Sequence, residues 1–130
     1  MKMPKPDETI IARRAAIVRA LREICPAGVV DDEDGMRPYD CDGLYMYRQM
    51  PMVVVLPETV DEVSQILRYC HENDVKVVPR GAGTSLSGGA LPLADGVLLG
   101  LGKFNRILEV DYDNRCAVVR AHPWGPVSPV

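Results

Sequence analysis

Between Gly81 and Gly89 the chain places four glycines and three small hydroxyl residues, Thr84, Ser85 and Ser87, within nine positions. The stretch from Arg80 to Ala90 reads RGAGTSLSGGA. Glycine at this density costs backbone entropy and brings no side chain to a core. It does let successive main-chain N–H groups converge on one concavity, a nest that suits anions and phosphates above all. Gly81, Gly83, Gly88 and Gly89 can take positive φ and admit a ligand to the backbone. Ala82 between them is small, and the three hydroxyls add donors. Arg80 either adds positive charge or serves the structure. Two nucleotide templates fail here. A P-loop needs lysine after its second glycine, and from Gly83 that position is Gly89. A dinucleotide fingerprint of the GxGxxG kind has Leu86 as its third glycine, and Pro92 and Gly96 deny it a following helix. A Gly-rich hairpin loop without a ligand is the bland alternative, and it leaves the glycine density unexplained.

Other residues with chemical potential have no matching pattern around them. The run Asp31, Asp32, Glu33, Asp34 lacks the alternating ligands and distant Glu of a calcium loop, so a solvated flank to a helix is expected and no metal site is assigned. His71 and His122 have no partner set that makes a general base. Cys25, Cys41, Cys70 and Cys116 lie 16, 29 and 46 residues apart, with no C-x-x-C pair for zinc or redox work. The start, MKMPKPDETI, has no apolar stretch of a secretory signal, so reduced thiols and a cytoplasmic location are expected. No run approaches the ~18 apolar residues of a membrane span. A net charge of −3 gives no basic face for nucleic acid.

The elements that must hold the glycine loop are legible from spacing. Asp7 caps a helix predicted over 7–25, with Ile10, Ile11, Ile17, Leu21 and Ile24 at helical intervals and Pro26 and Gly28 as stops. An irregular, acidic and then Tyr- and Met-rich lead-in follows, with at most one short helical turn. MVVVLP is a short buried strand bounded by Pro51 and Pro57. Thr59 and Glu62 form a capping box that opens a second helix, closed by Asn73 and Asp74. VKVVP is a second strand and leads straight into the glycine loop. Gly96–Leu101 is a third strand, and ILEVD and RCAVVRA pair as a hairpin around Asp111–Asn114. Strand–helix–strand implies a right-handed parallel crossover. The fold class is α+β, a mixed α/β layer. The chain divides into a lead-in over 1–50, a first ligand-binding subdomain over 51–121 and an atypical tail over 122–130.

RGAGTSLSGGA, preceded by PMVVVLPETVDEVSQILRYCHENDVKVVP, resembles the FAD-binding domain of the vanillyl-alcohol oxidase / p-cresol methylhydroxylase superfamily. YDCDGLYMYRQMPMVVVLP and the run from Arg80 to Asp111 are most similar to its subgroup of bacterial glycolate oxidases, in their D-type component, and related D-lactate dehydrogenases. The resemblance covers residues ~20 to 121. It implies FAD as cofactor, with pyrophosphate contacts from Arg80, Gly81, Ala82, Gly83, Thr84 and Ser85 and with Ser87, Gly88 and Gly89 completing the turn. It implies flavin-dependent oxidation of a small 2-hydroxy acid, glycolate or D-lactate, and other oxidase subunits as partners.

Members of that family are several times longer than 130 residues. Their second FAD subdomain and substrate-shaping domain are expected after the point where this chain stops, so no catalytic residue is named. After Ala121 the chain reads HPWGPVSPV where the family turns into a helix, and Pro126 and Pro129 oppose one. A frameshift or premature stop is the expectation, to be checked in the neighbouring DNA. A first subdomain by itself exposes the face meant for the second. It is expected to self-associate and to bind FAD weakly or not at all, as an inactive folded module.

Overall fold

The computed structural model describes residues 3–119. Within them the first predicted helix is two helices, α1 (Glu8–Ala12) and α2 (Arg14–Ile24). The break falls at Arg13, whose amide turns back onto Ile10 O at 3.0 Å, a tightening that ends the first helix. Its guanidinium donates to Asn73 O at 3.0 Å and holds the bend. Asp7 caps α1 as its residue type predicts, accepting the Thr9 N–H at 2.8 Å.

The lead-in is more ordered than its composition suggested. It forms β1 (Val29–Val30), α3 (Glu33–Met36) and a 3-10 turn over Arg37–Tyr39. The acidic run is used locally. Asp32 caps α3 by accepting the Gly35 N–H at 2.7 Å. Glu33 and Asp34 lie 3.6 and 3.4 Å from Arg37.

Four further elements complete the main layer: β2 (Val53–Val55), α4 (Val60–Glu72), β3 (Lys76–Arg80) and β4 (Gly96–Gly100). The capping box at α4 is formed on both sides: Glu62 N–H donates to Thr59 Oγ1 at 3.1 Å and Thr59 N–H to Glu62 Oε2 at 2.9 Å. The sheet order is β1-β2-β4-β3, with β1 antiparallel to β2 and the other pairs parallel. So β4 inserts between the two strands that α4 connects. Pro79 breaks no ladder because β3 is an edge strand.

Val53, Val54, Val55, Val97 and Leu98 are fully buried because both faces of the sheet are covered. Val53, Val55 and Val97 pack with Ile17, Leu21, Ile66 and Cys70 from α2 and α4. Val54 and Leu98 pack on the other face with Met36 and Val78, and Tyr39 closes over them. Each such side chain contributes roughly 1.5–3 kcal/mol on burial. The lead-in therefore shares the core of the sheet that carries the glycine loop. The chain ends its described part in a separate hairpin, β5 (Ile107–Asp111) with β6 (Cys116–Val119). Its turn is closed by the Asn114 N–H on Asp111 Oδ1 at 3.0 Å. The architecture is the mixed α+β layer expected from the sequence.

At the amino end of β4, buried Asp95 accepts from Lys76 Nζ at 2.6 Å and from the Asp7 N–H at 2.8 Å. Burial pushes the Asp95 carboxyl up, but these two donors outweigh it and hold it below the ordinary value. A depressed carboxylate stabilises the fold above its unfolded pKa of about 3.9 and loses that contribution as pH falls through the folded value. Acidification from about pH 5 to pH 2 should therefore progressively erode stability at this site, as the buried carboxylate loses the charge that its two donors favour. Chemical denaturation of wild type and Asp95→Asn across that range checks it. Parallel stability curves for the two proteins would rule the contribution out.

Candidate functional site

The three parallel strands point the same way, so their carboxyl ends gather at one edge of the sheet. β2 delivers Pro57 and Glu58 there, β3 delivers Arg80 and the glycine loop, and β4 delivers Gly102 and Lys103. Ligands of open α/β sheets collect at this edge. Because β3 and β4 are parallel, residues 81–95 are a crossover that must return along the whole strand. A hairpin loop, the bland reading, is not what the strands allow.

Within the crossover the backbone N–H groups of Gly81, Ala82, Gly83, Thr84 and Ser85 donate to no protein group among the described residues. These positions are exposed or half-buried. The next amides behave differently. Ser87 and Gly89 N–H groups donate to Ser85 Oγ at 3.4 and 3.2 Å, so the Ser85 hydroxyl closes the turn. Gly83 has φ +72° and Gly88 φ +75°, conformations that a side chain would strain. Among the described residues these five amides are left without a protein acceptor, and the turn that follows them is closed on itself.

The Arg80 side chain takes the structural alternative. It is buried, 6% exposed, and lies under the loop. Nε donates to Ala90 O at 3.1 Å, Nη2 donates to the same oxygen, and Nη1 donates to Tyr39 O at 3.0 Å. Burial pushes its pKa down, and the charge of Asp42 opposes that.

Sequence reading assigned no role to the lead-in at this site, yet it supplies a wall. Asp42 is buried and accepts the Leu44 N–H at 2.9 Å and the Ala90 N–H at 3.3 Å. Gly43 sits against the loop backbone, where an added Cβ would lie 2.9 Å from the carbonyl oxygens of both Thr84 and Ser85. The visible signal was the Asp-Gly pair in YDCDGL, but an Asp-Gly pair reads as a local turn. His71 stands exposed in the last turn of α4, away from these residues in the chain. His122 and the tail 122–130 lie outside the described residues. The four cysteines are free thiols. Among the described residues no helix is long and apolar enough to cross a membrane.

The fit to a dinucleotide pyrophosphate rests on the free amides from Gly81 to Ser85 and on the two positive-φ glycines. The family model described as FAD binding domain matches residues 51–123. Glycolate oxidase subunit GlcD of Escherichia coli (strain K12) is 46% identical over 108 residues, which is 82% of this chain and 22% of that protein. The chain thus spans about a fifth of the length of that relative. Among solved structures, 4-ethylphenol oxidase from Gulosibacter chungangensis superimposes with TM-score 0.73 and 25% identity over 91% of this chain and 23% of its own. p-Cresol methylhydroxylase superimposes with TM-score 0.66 over 84% of this chain and 22% of its own, a likeness at 23% identity that speaks for the fold. The chain belongs to the FAD-binding domain family, with the fold of the p-cresol methylhydroxylase type, and FAD is the cofactor of that family.

Proposed function

We propose that this chain holds the pyrophosphate of FAD for the oxidation of a small 2-hydroxy acid, glycolate or D-lactate. The observation that carries the cofactor half is the run of five free amides from Gly81 to Ser85 at the carboxyl edge of the sheet. Gly81, Ala82, Gly83, Thr84 and Ser85 make the contacts. Ser87, Gly88 and Gly89 complete the turn through Ser85 Oγ. Arg80 contributes from beneath, through Ala90. When bound, FAD accepts the hydride equivalent of the oxidation. This chain's residues bind and orient; the acid–base groups and the substrate pocket are assigned to parts that the larger relatives contain and these residues do not. The likeness to a glycolate oxidase component supports the 2-hydroxy acid and a multi-subunit assembly. Free thiols favour a cytoplasmic setting. The reading divides the chain into lead-in 1–50, first FAD subdomain 51–121 and tail 122–130; the start of the family match at residue 51 supports the first boundary.

A second reading has its own observation. Leu108, Val110, Val118 and Val119 on the β5–β6 hairpin are 53%, 45%, 50% and 39% exposed. Apolar area of this kind favours a partner, and a second copy is one at hand. The chain is then a self-associating module with weak flavin binding.

Equilibrium titration with FAD, ADP and riboflavin, with molecular mass read by light scattering on the same samples, tests both. A pyrophosphate site binds FAD and ADP alike and leaves riboflavin unbound. Binding of riboflavin as tight as FAD, or of none of the three, contradicts the cofactor assignment. A monomeric mass at all concentrations contradicts self-association.

A further inference from the structure

We infer that Arg80 and Asp42 are positioning residues that together fix the exit of the glycine loop, and that neither side chain touches the anion the loop holds. The inference rests on the cradle reading above. The two residues come from segments far apart in sequence and meet at one peptide unit. Ala90 has its C=O taken by the Arg80 guanidinium and its N–H taken by the Asp42 carboxylate, so both of its polar groups are closed inside the fold. Asp42 is anchored in turn by the Leu44 N–H at 2.9 Å, and Arg80 reaches onward to Tyr39 O at 3.0 Å. The clamp therefore staples the end of the loop to the lead-in.

Arg80 also supports the start of the loop. A Cβ placed on Gly83 would stand 3.4 Å from Arg80 Cδ, so the loop rides on the aliphatic stem with no side chain between. All three guanidinium nitrogens donate to main-chain carbonyls, that of Ala90 at the loop exit and that of Tyr39 in the lead-in. The opposite charge of buried Asp42 offsets that of Arg80. What faces an incoming anion is then the set of main-chain N–H dipoles, held in place before the ligand arrives. Preorganisation of this kind removes an ordering cost from binding.

Two alternatives for Arg80 predict opposite signs. If its charge attracted phosphate directly, Asp42→Asn would remove a competing negative charge and strengthen FAD binding. In the clamp, Asp42 accepts two N–H groups on two oxygens. Asparagine has one acceptor oxygen and turns an NH2 toward the other donor. Asp42→Asn should then weaken FAD binding by about tenfold, a loss at the low end of that expected for one hydrogen bond to a charged group. Arg80→Lys should weaken it as much, because a single ammonium cannot bridge the Ala90 and Tyr39 carbonyls as a planar fork does.

The test that needs neither variant nor ligand is hydrogen exchange on the wild-type chain. The Ala90 amide should exchange at least ~100-fold more slowly than the amides of Gly81 to Ser85, since exchange tracks local opening. An Ala90 amide exchanging as fast as those five overturns the clamp, as does tighter FAD binding by Asp42→Asn or wild-type affinity in Arg80→Lys. If the wild type binds no FAD, the cofactor reading falls and the exchange pattern decides the clamp by itself.

Discussion

Gly43→Ala should cost FAD affinity at least ~10-fold, and up to ~100-fold, while leaving the sheet core intact. The added methyl would lie 2.9 Å from the oxygens of Thr84 and Ser85 and 3.0 Å from the Thr84 carbonyl carbon. These are backbone atoms and cannot rotate away as a side chain can. Relief comes from pushing the loop outward at Thr84, which is exposed, and at Ser85, which is half-buried, away from the position its supports give it. Overpacking of this sort costs about 1–3 kcal/mol. Because the loop contributes little to the core, the cost falls on the geometry of the Gly81–Ser85 amides and is read in binding. Titration with FAD measures it, beside a thermal melt that stays within a few degrees of wild type. Unchanged affinity in Gly43→Ala would mean that the lead-in does not shape the cradle.

Gly28→Ala should destabilise the whole fold by about 3 kcal/mol, at the upper end of overpacking costs. Here one neighbour, Cys25, is buried and the other, Leu56, is half-buried. A Cβ at Gly28 would lie 2.4 Å from Cys25 Sγ and 2.5 Å from the Leu56 carbonyl oxygen. Gly28 also joins the two ends of the first sheet pairing, since its C=O accepts the Leu56 N–H at 2.8 Å. Moving it drags β1 from β2, where Val29 pairs with Val55. Denaturant unfolding gives the loss directly. A double substitution, Cys25→Ala with Gly28→Ala, separates the two clashes. It should recover only part of the stability, because the Leu56 oxygen is backbone and stays. Full recovery would assign the strain to the thiol, and a single-mutant loss under ~1 kcal/mol would show that β1 shifts freely.

Both effects arise from glycines outside the motif that first draws attention, and the reason lies in which information is local. Local chemistry was readable from the chain. Thr59 and Glu62 define the start of α4 because each group of a capping box meets a partner three residues away. The run Val53–Val55 reads as a buried strand from its residue types. The density of glycine from Gly81 to Gly89 marks a loop of bare backbone, and the absence of a P-loop lysine argues against a nucleoside triphosphate. The break at Arg13 was not readable, since the apolar spacing is continuous across it and the bend is held by a contact with Asn73, 60 positions on.

Strand order is another long-range result. Nothing in the order helix, strand, loop, strand tells that β4 enters between β2 and β3, yet that insertion makes residues 81–95 a crossover and sets the loop on the carboxyl edge. Arg80 is the clearest case at the site. Its type and place beside the glycines allowed a phosphate ligand or a structural support. The choice was made by carbonyls at Ala90 and Tyr39, 10 and 41 positions away, together with the burial that the lead-in imposes. What the residues alone establish is a glycine-rich backbone loop on a strand-helix-strand frame. The fold alone turns its arginine inward onto the Ala90 and Tyr39 carbonyls and leaves the amides of Gly81 to Ser85 without a protein acceptor among the described residues. Turns and caps close over three or four residues, whereas a buried guanidinium takes whichever acceptors the fold brings to it.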